Sequence, residues 1–158
     1  MKLADISYTD DVRYNGHMRL HSDSTNTTLV LNRGEELIAT LTAYAREHTP
    51  TGAWLQSGVG GAGSTTVAFY DLETRAYVDQ TFDEPLEILS LQGNLTWVDN
   101  EPFWHIHGIF GRRDYRTVGG HVKHLAIALT GELLLVPTDT RLTRRHDDTT
   151  GLRLIVDE

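Results

Sequence analysis

The sequence predicts an α+β domain whose sheet is largely antiparallel or mixed and carries helical cover on one face. Three observations lead there. One amphipathic helical segment comes early, a long succession of apolar or alternating segments follows it, and turn residues interrupt those segments at short intervals.

Taken in order, the first 27 residues are polar and mixed, and "HSDSTNTT" (21–28) reads as a loop leading into a strand at "LVL". "NRGEELIATLTAYAREHTP" supplies the helix. Leu37, Leu41, Tyr44 and Ala45 recur at helical spacing, while Glu35, Glu36, Arg46 and Glu47 lie mostly outside that stripe. Asn32 with Glu35 three residues on matches a capping box, Glu36 suits the first turn, and Pro50 closes the far end. Strand signals then take over. "GAWLQSGVGGAGS" is an apolar run passing into glycines that suit tight turning, and "TTVAFYD" and "AYVDQTF" alternate around a turn at "LETR". "LEILSLQGNLTWV" continues, with Gly93 and Asn94 marking a bulge or turn. "DNEP" (99–102) separates it from the strand "FWHIHGIF", and "HVKHLAIALTGELLLVP" supplies one or two more. The polar tail "DTRLTRRHDDTTGLRLIVDE" ends in a short apolar segment suited to docking on the sheet. A single helix leaves one face of so much sheet uncovered, so a homo-oligomer is expected.

The totals bound the partners. A chain of 158 residues is of single-domain size and buries a core without disulfides. Its 39% hydrophobic and 23% charged residues are those of a soluble globular protein. No apolar run approaches the roughly 20 residues of a membrane helix, and "MKLADISYTDD" lacks a signal-peptide core, so a cytoplasmic protein with no membrane partner is expected. The net charge of −8 disfavours non-specific binding to duplex DNA. Two small basic clusters, Arg112, Arg113 and Arg116, then Arg141, Arg144 and Arg145, read as surface arginines. With no cysteine, any metal site has to use histidine and carboxylates.

The chemistry concentrates in "FWHIHGIFGRRDYRTVGGHV". On a strand, His105 and His107 point to one face and Trp104 and Ile106 to the other. A simple hairpin turning near Asp114 pairs residues whose numbers sum to 228, which sets His121 opposite His107. Three converging imidazoles suit a divalent transition metal such as Zn²⁺ and leave a fourth position open. The alternative is an ordinary hairpin that happens to carry histidines. His124 falls on the opposite face, and His17, His21, His48 and His146 read as surface or loop residues. "SGVGGAG" lacks the Lys-Ser/Thr of a phosphate loop, and Ser57 and Ser90 sit in no nucleophile motif, so no cofactor-binding residue and no catalytic nucleophile is identified. Glu87 is either the solvent-facing half of an alternating strand or a buried carboxylate with a raised pKa.

Together "LNRGEELIATL", "SGVGGAG", "YDLETRAY", "EPLEILSLQGN", "PFWHIHGIF" and "VGGHV", in this order, resemble the PPC domain, the plant and prokaryote conserved domain. The resemblance runs from about residue 29 to 154 and makes 1–158 a single domain. It implies a mixed, strongly twisted β-sheet, a homotrimer, and zinc held in some bacterial members at the positions of His105, His107 and His121. In plants the domain follows AT-hook motifs; in prokaryotes it stands alone and is often labelled DNA-binding. No arginine-glycine-arginine-proline core occurs in this chain, and of the plant Gly-Arg-Phe-Glu-Ile-Leu segment only Glu87, Ile88 and Leu89 are kept in "EPLEIL". The expected role is therefore an interaction or small-ligand module that is DNA-binding by family label. The alternative is a zinc-dependent hydrolase or lyase acting on a small substrate, with Glu87 or Asp99 as candidate base.

Overall fold

A computed structural model describes residues 12–14, 18–48 and 51–156. The segment "MKLADISYTDD", His17 and Pro50 lie outside the described residues. Nine strands and one helix follow in the order β1 (Val12–Tyr14), β2 (Met18–Ser22), β3 (Thr27–Asn32), α1 (Leu37–His48), β4 (Gly52–Asp71), β5 (Ala76–Val98), β6 (Glu101–Gly111), β7 (Thr117–Thr138), β8 (Thr143–His146) and β9 (Arg153–Val156). All belong to one mixed sheet. Its pairings are antiparallel except for a parallel bridge between Trp97 of β5 and Thr143 of β8.

The long strands form a closed circuit: β4 pairs with β5 and β7, and β6 pairs with the same two. Helix α1 lies against β6 and β7. Its stripe of Leu37, Leu41, Tyr44 and Ala45 is buried, as the helical spacing predicts. These side chains join Leu29, Leu31, Ile106, Phe110, Leu125 and Leu135 in one apolar core.

The helix begins later than the capping-box reading places it. Asn32 is the last residue of β3, and its backbone N–H donates to Glu35 Oε2 at 2.6 Å in a turn that precedes the helix. Glu36 is the actual cap. Its Oε2 accepts from Ala39 N at 2.7 Å, and its Oε1 accepts from Leu125 N of β7 at 3.2 Å, tying the helix start to the sheet.

The "HSDSTNTT" loop narrows to a turn over residues 23–26, because a short strand, β2, precedes it and pairs with β3. Asp23 holds this turn by accepting from the backbone N–H groups of Thr25 and Asn26, both at 2.7 Å.

The glycines of "SGVGGAGS" do not turn the chain. They lie within β4, which runs through them with shifts of register. At Gly60 the backbone has φ +145°, and a Cβ there would stand 2.0 Å from the Thr130 carbonyl oxygen, so only glycine lets β4 and β7 approach at this bend. Gly93 and Asn94 likewise form no bulge or turn. They pair in regular register with Ile106 and His105, and a Cβ on Gly93 would meet the His105 carbonyl oxygen at 2.2 Å.

"LETR" does turn β4 into β5. Asp99 and Asn100, at φ 51° and 66°, make the two-residue hairpin between β5 and β6. "HVKHLAIALTGELLLVP" is one strand: Gly131 sits in register between Leu31 and Gly60, and Glu132 faces solvent, so neither interrupts it. The tail docks through the β8–β9 ribbon on the end of β5.

Candidate metal centre

Strand alternation along β6 turns Trp104, Ile106, Gly108 and Phe110 inward and leaves His105, His107 and Ile109 on the other face. The β6–β7 hairpin then pairs His107 with His121, Gly108 with Gly120, and so on to Gly111 with Thr117. This is the register that a simple turn near Asp114 predicts. One nitrogen from each of His105, His107 and His121 lies within 4.8 Å of the others, a grouping able to hold a metal ion.

The geometry fits a divalent ion. His105 Nε2 and His107 Nε2 are 3.1 Å apart. Imidazole nitrogens 2.0–2.1 Å from a tetrahedral zinc stand about 3.3–3.4 Å from each other, so this pair is already at coordinating spacing. His121 Nδ1 is buried with no hydrogen-bond partner among the described residues, so no protein group competes for it. Burial, reinforced by Arg144 and the two other imidazoles, pushes the pKa of His105 down to about 4. Burial, then His107, Lys123 and Arg144, also lowers that of His121. Both rings are therefore neutral at pH 7, the form in which histidine ligates. An ion bound here would supply Lewis-acid chemistry.

A buried guanidinium braces the cluster from behind. Arg144 of β8 is only 9% exposed. Its Nε donates to Thr96 Oγ1 at 2.9 Å, Nη1 to the Arg153 carbonyl at 2.9 Å, and Nη2 to Asn94 Oδ1 at 3.1 Å. Nη2 also stands 3.2 Å from His105 Nδ1. A guanidinium only donates, so His105 Nδ1 is the acceptor, and the proton of the neutral ring sits on Nε2, facing His107. Nε2 is also the nitrogen at coordinating spacing from His107, so a neutral ring that held an ion through it would carry its proton on Nδ1 instead, and the Arg144 Nη2 contact would open. Reading Arg144 as a surface arginine is thus corrected. Asn94, marked in the sequence only as part of a bulge or turn, and Thr96, which no motif marks, belong to the same support. On the other flank the Tyr77 ring lies 5.2 Å from that of His121, and Lys123 Nζ, paired with Asp79 at 2.8 Å, lies 5.1 Å from the Tyr77 ring centroid.

The remaining candidates lie elsewhere. His124 is outside the cluster, 3.6 Å from Glu36 Oε1, and His21, His48 and His146 are exposed. Glu87 faces solvent opposite Gly111, four residues along β6 from His107, and Asp99 sits in the β5–β6 turn. Neither carboxylate joins the histidines, which corrects their candidacy as a base at this centre. Glu87 instead lines a separate cavity of about 1050 Å³ with Glu84, Arg112, Arg113, Leu89 and Leu129. Arg112 is held there by Glu84 at 2.8 Å.

Comparison with solved structures finds the same fold repeatedly. A candidate DNA-binding protein from Bacteroides thetaiotaomicron superposes with a TM-score of 0.84 at 26% identity, over 89% of this chain and 97% of that one. A metal-containing protein from Archaeoglobus fulgidus matches with a TM-score of 0.78 at 28% identity, over 99% of this chain and all of its own. A plant- and prokaryote-conserved protein from Pyrococcus horikoshii, 21% identical, shares the fold with a TM-score of 0.77 over 92% of this chain and 99% of its own. No curated protein matches the chain. No helix among the described residues is long and apolar enough to cross a membrane. The model of the Plants and Prokaryotes Conserved (PCC) domain matches residues 18–139, from β2 through β7 and including all three clustered histidines, and the chain belongs to that family.

Proposed function

We propose that His105, His107 and His121 hold one zinc ion, and that the protein acts in the cytoplasm as a homotrimeric small-ligand or interaction module. The observation that carries this reading is the convergence of three imidazole nitrogens within 4.8 Å. It is supported by the metal-containing relative from Archaeoglobus fulgidus, whose likeness spans 99% of this chain. The donor set, three neutral nitrogens without thiolate or carboxylate, suits zinc better than magnesium or calcium. Metal analysis of protein purified with zinc present tests it: about one zinc per chain is expected, lost in His107→Ala and His121→Ala. Equal metal content in wild type and both variants would overturn it.

Trimer assembly is supported by large apolar side chains left in solvent, among them Val59, Leu89 and Leu129 at 46%, 51% and 71% exposure. Light scattering at micromolar concentration is expected to return three times the chain mass; a monomer mass would refute trimer assembly.

Relatives are named as candidate DNA-binding proteins, yet the net charge of −8 opposes a phosphate backbone. Mobility shifts at physiological salt are expected to show no sub-micromolar binding to duplex DNA. Such binding, lost on changing Arg112 and Arg113, would establish the DNA reading instead. The zinc-dependent hydrolase or lyase reading is favoured by one feature, a cleft of about 280 Å³ lined in part by His107.

A further inference from the structure

That cleft is lined by Ser90, Gln92, His107, Ile109 and the adjoining glycines of β6 and β7, and no carboxylate borders it in a chain of net charge −8. Behind the histidines stands Arg144, 9% exposed, whose hydrogen-bond partners are a hydroxyl, an amide oxygen, a backbone carbonyl and an imidazole. None of these is an anion, and among the described residues Arg144 forms no ion pair. Burying a cation without a counter-charge is costly. A divalent ion on three neutral imidazoles would add two further positive charges that the ligands do not offset. With the ion bound, the centre would carry an excess of positive charge beside an acid-free opening.

We propose that this cleft binds a small organic carboxylate, with its anionic end at the three-histidine centre, the Ser90 hydroxyl and Gln92 amide beside it, and Ile109 against its apolar part. The inference rests on the metal reading above. The size agrees: at roughly 30 Å³ per water molecule, 280 Å³ takes a ligand about as large as nine waters, which suits a compact acid. By linkage, carboxylate and metal strengthen each other's binding.

The test uses the full chain loaded with Co²⁺, whose visible spectrum reports on the ligands of the ion. Benzoate is the probe, and benzamide, its uncharged counterpart of the same shape, is the control. Saturable spectral change with benzoate and none with benzamide at the same concentration is expected. The benzoate affinity should fall several-fold in Gln92→Ala, with cobalt stoichiometry unchanged, and at least tenfold in Arg144→Met compared at equal cobalt occupancy, because Arg144 also orients His105. Should Arg144→Met fail to fold, Gln92→Ala and the benzoate–benzamide pair decide the matter. One cobalt per chain with no saturable benzoate effect, or with benzamide equal to benzoate, overturns this inference alone. Failure of the wild-type chain to take up cobalt or zinc overturns the metal reading and this inference with it.

Discussion

Arg144 Nη2 and His105 Nδ1 stand 3.2 Å apart, so a buried guanidinium from the last strand pair fixes the orientation of an imidazole on β6. The same guanidinium satisfies two buried polar groups of β5, the Asn94 amide oxygen and the Thr96 hydroxyl. It thereby joins the tail of the fold to the histidine cluster.

Arg144→Met removes these bonds while keeping much of the side-chain volume, and strands Asn94 Oδ1 in the interior. A loss of about 2–4 kcal/mol is expected, read from the urea midpoint of metal-free protein. Arg144→Lys should recover less than half of it, because an ammonium cannot serve the four acceptors that the planar fork reaches. Full recovery by lysine would show that charge alone matters.

Glu36 bridges two elements, accepting from Ala39 N at the helix start and from Leu125 N of β7. Glu36→Ala is expected to cost about 1–2 kcal/mol, the usual range for a lost N-cap, with Glu36→Gln closer to wild type. Thermal unfolding of the three proteins under one condition measures this. An unchanged Tm in Glu36→Ala would remove the capping role.

Two glycines separate backbone strain from steric clash. Gly34 has φ +91° and nothing within 4 Å of where an alanine Cβ would stand, whereas Gly60 has φ +145° and the Thr130 carbonyl oxygen 2.0 Å from that point. Gly34→Ala is expected to cost about 1 kcal/mol of conformational strain, and Gly60→Ala more than about 3 kcal/mol. Equal costs in denaturant titrations would mean that β4 and β7 move apart freely at the bend.

The turn carboxylates set a pH dependence. Asp71 accepts from the backbone N–H groups of Glu73 and Thr74, and the Thr74 bonds first of all lower its pKa below the ordinary 3.8. A carboxylate with a depressed folded pKa adds stability that is full above its unfolded value and is lost as pH falls through the folded one. Asp71→Ala should therefore lower Tm at pH 6, and the two proteins should converge as pH drops below 3.8. A constant difference down to pH 2 would assign the effect of Asp71 to packing.

Local patterns carried most of the legible information. The buried stripe of α1 follows from helical spacing alone, and the shared face of His105 and His107 from strand alternation. The pairing of His107 with His121 follows once the hairpin is taken as regular. The glycine-rich part of β4 defeats a turn assignment because glycine marks close backbone approach as readily as it marks a turn. The true cap was obscured by Glu35 and Glu36 standing side by side, each with a carboxylate able to reach a nearby N–H.

By itself the sequence determined the helix and its buried face, the run of strands, and the three histidines of one hairpin, since each depends on neighbours a few residues away. Only the tertiary structure decided that Arg144 is buried behind His105. Strand β8 has four residues, too few for a period to show, and its partners Thr96 and Asn94 lie 48 and 50 residues earlier in the chain. The same holds for the acid-free cleft beside His107, which exists only because β5, β6 and β7 lie side by side.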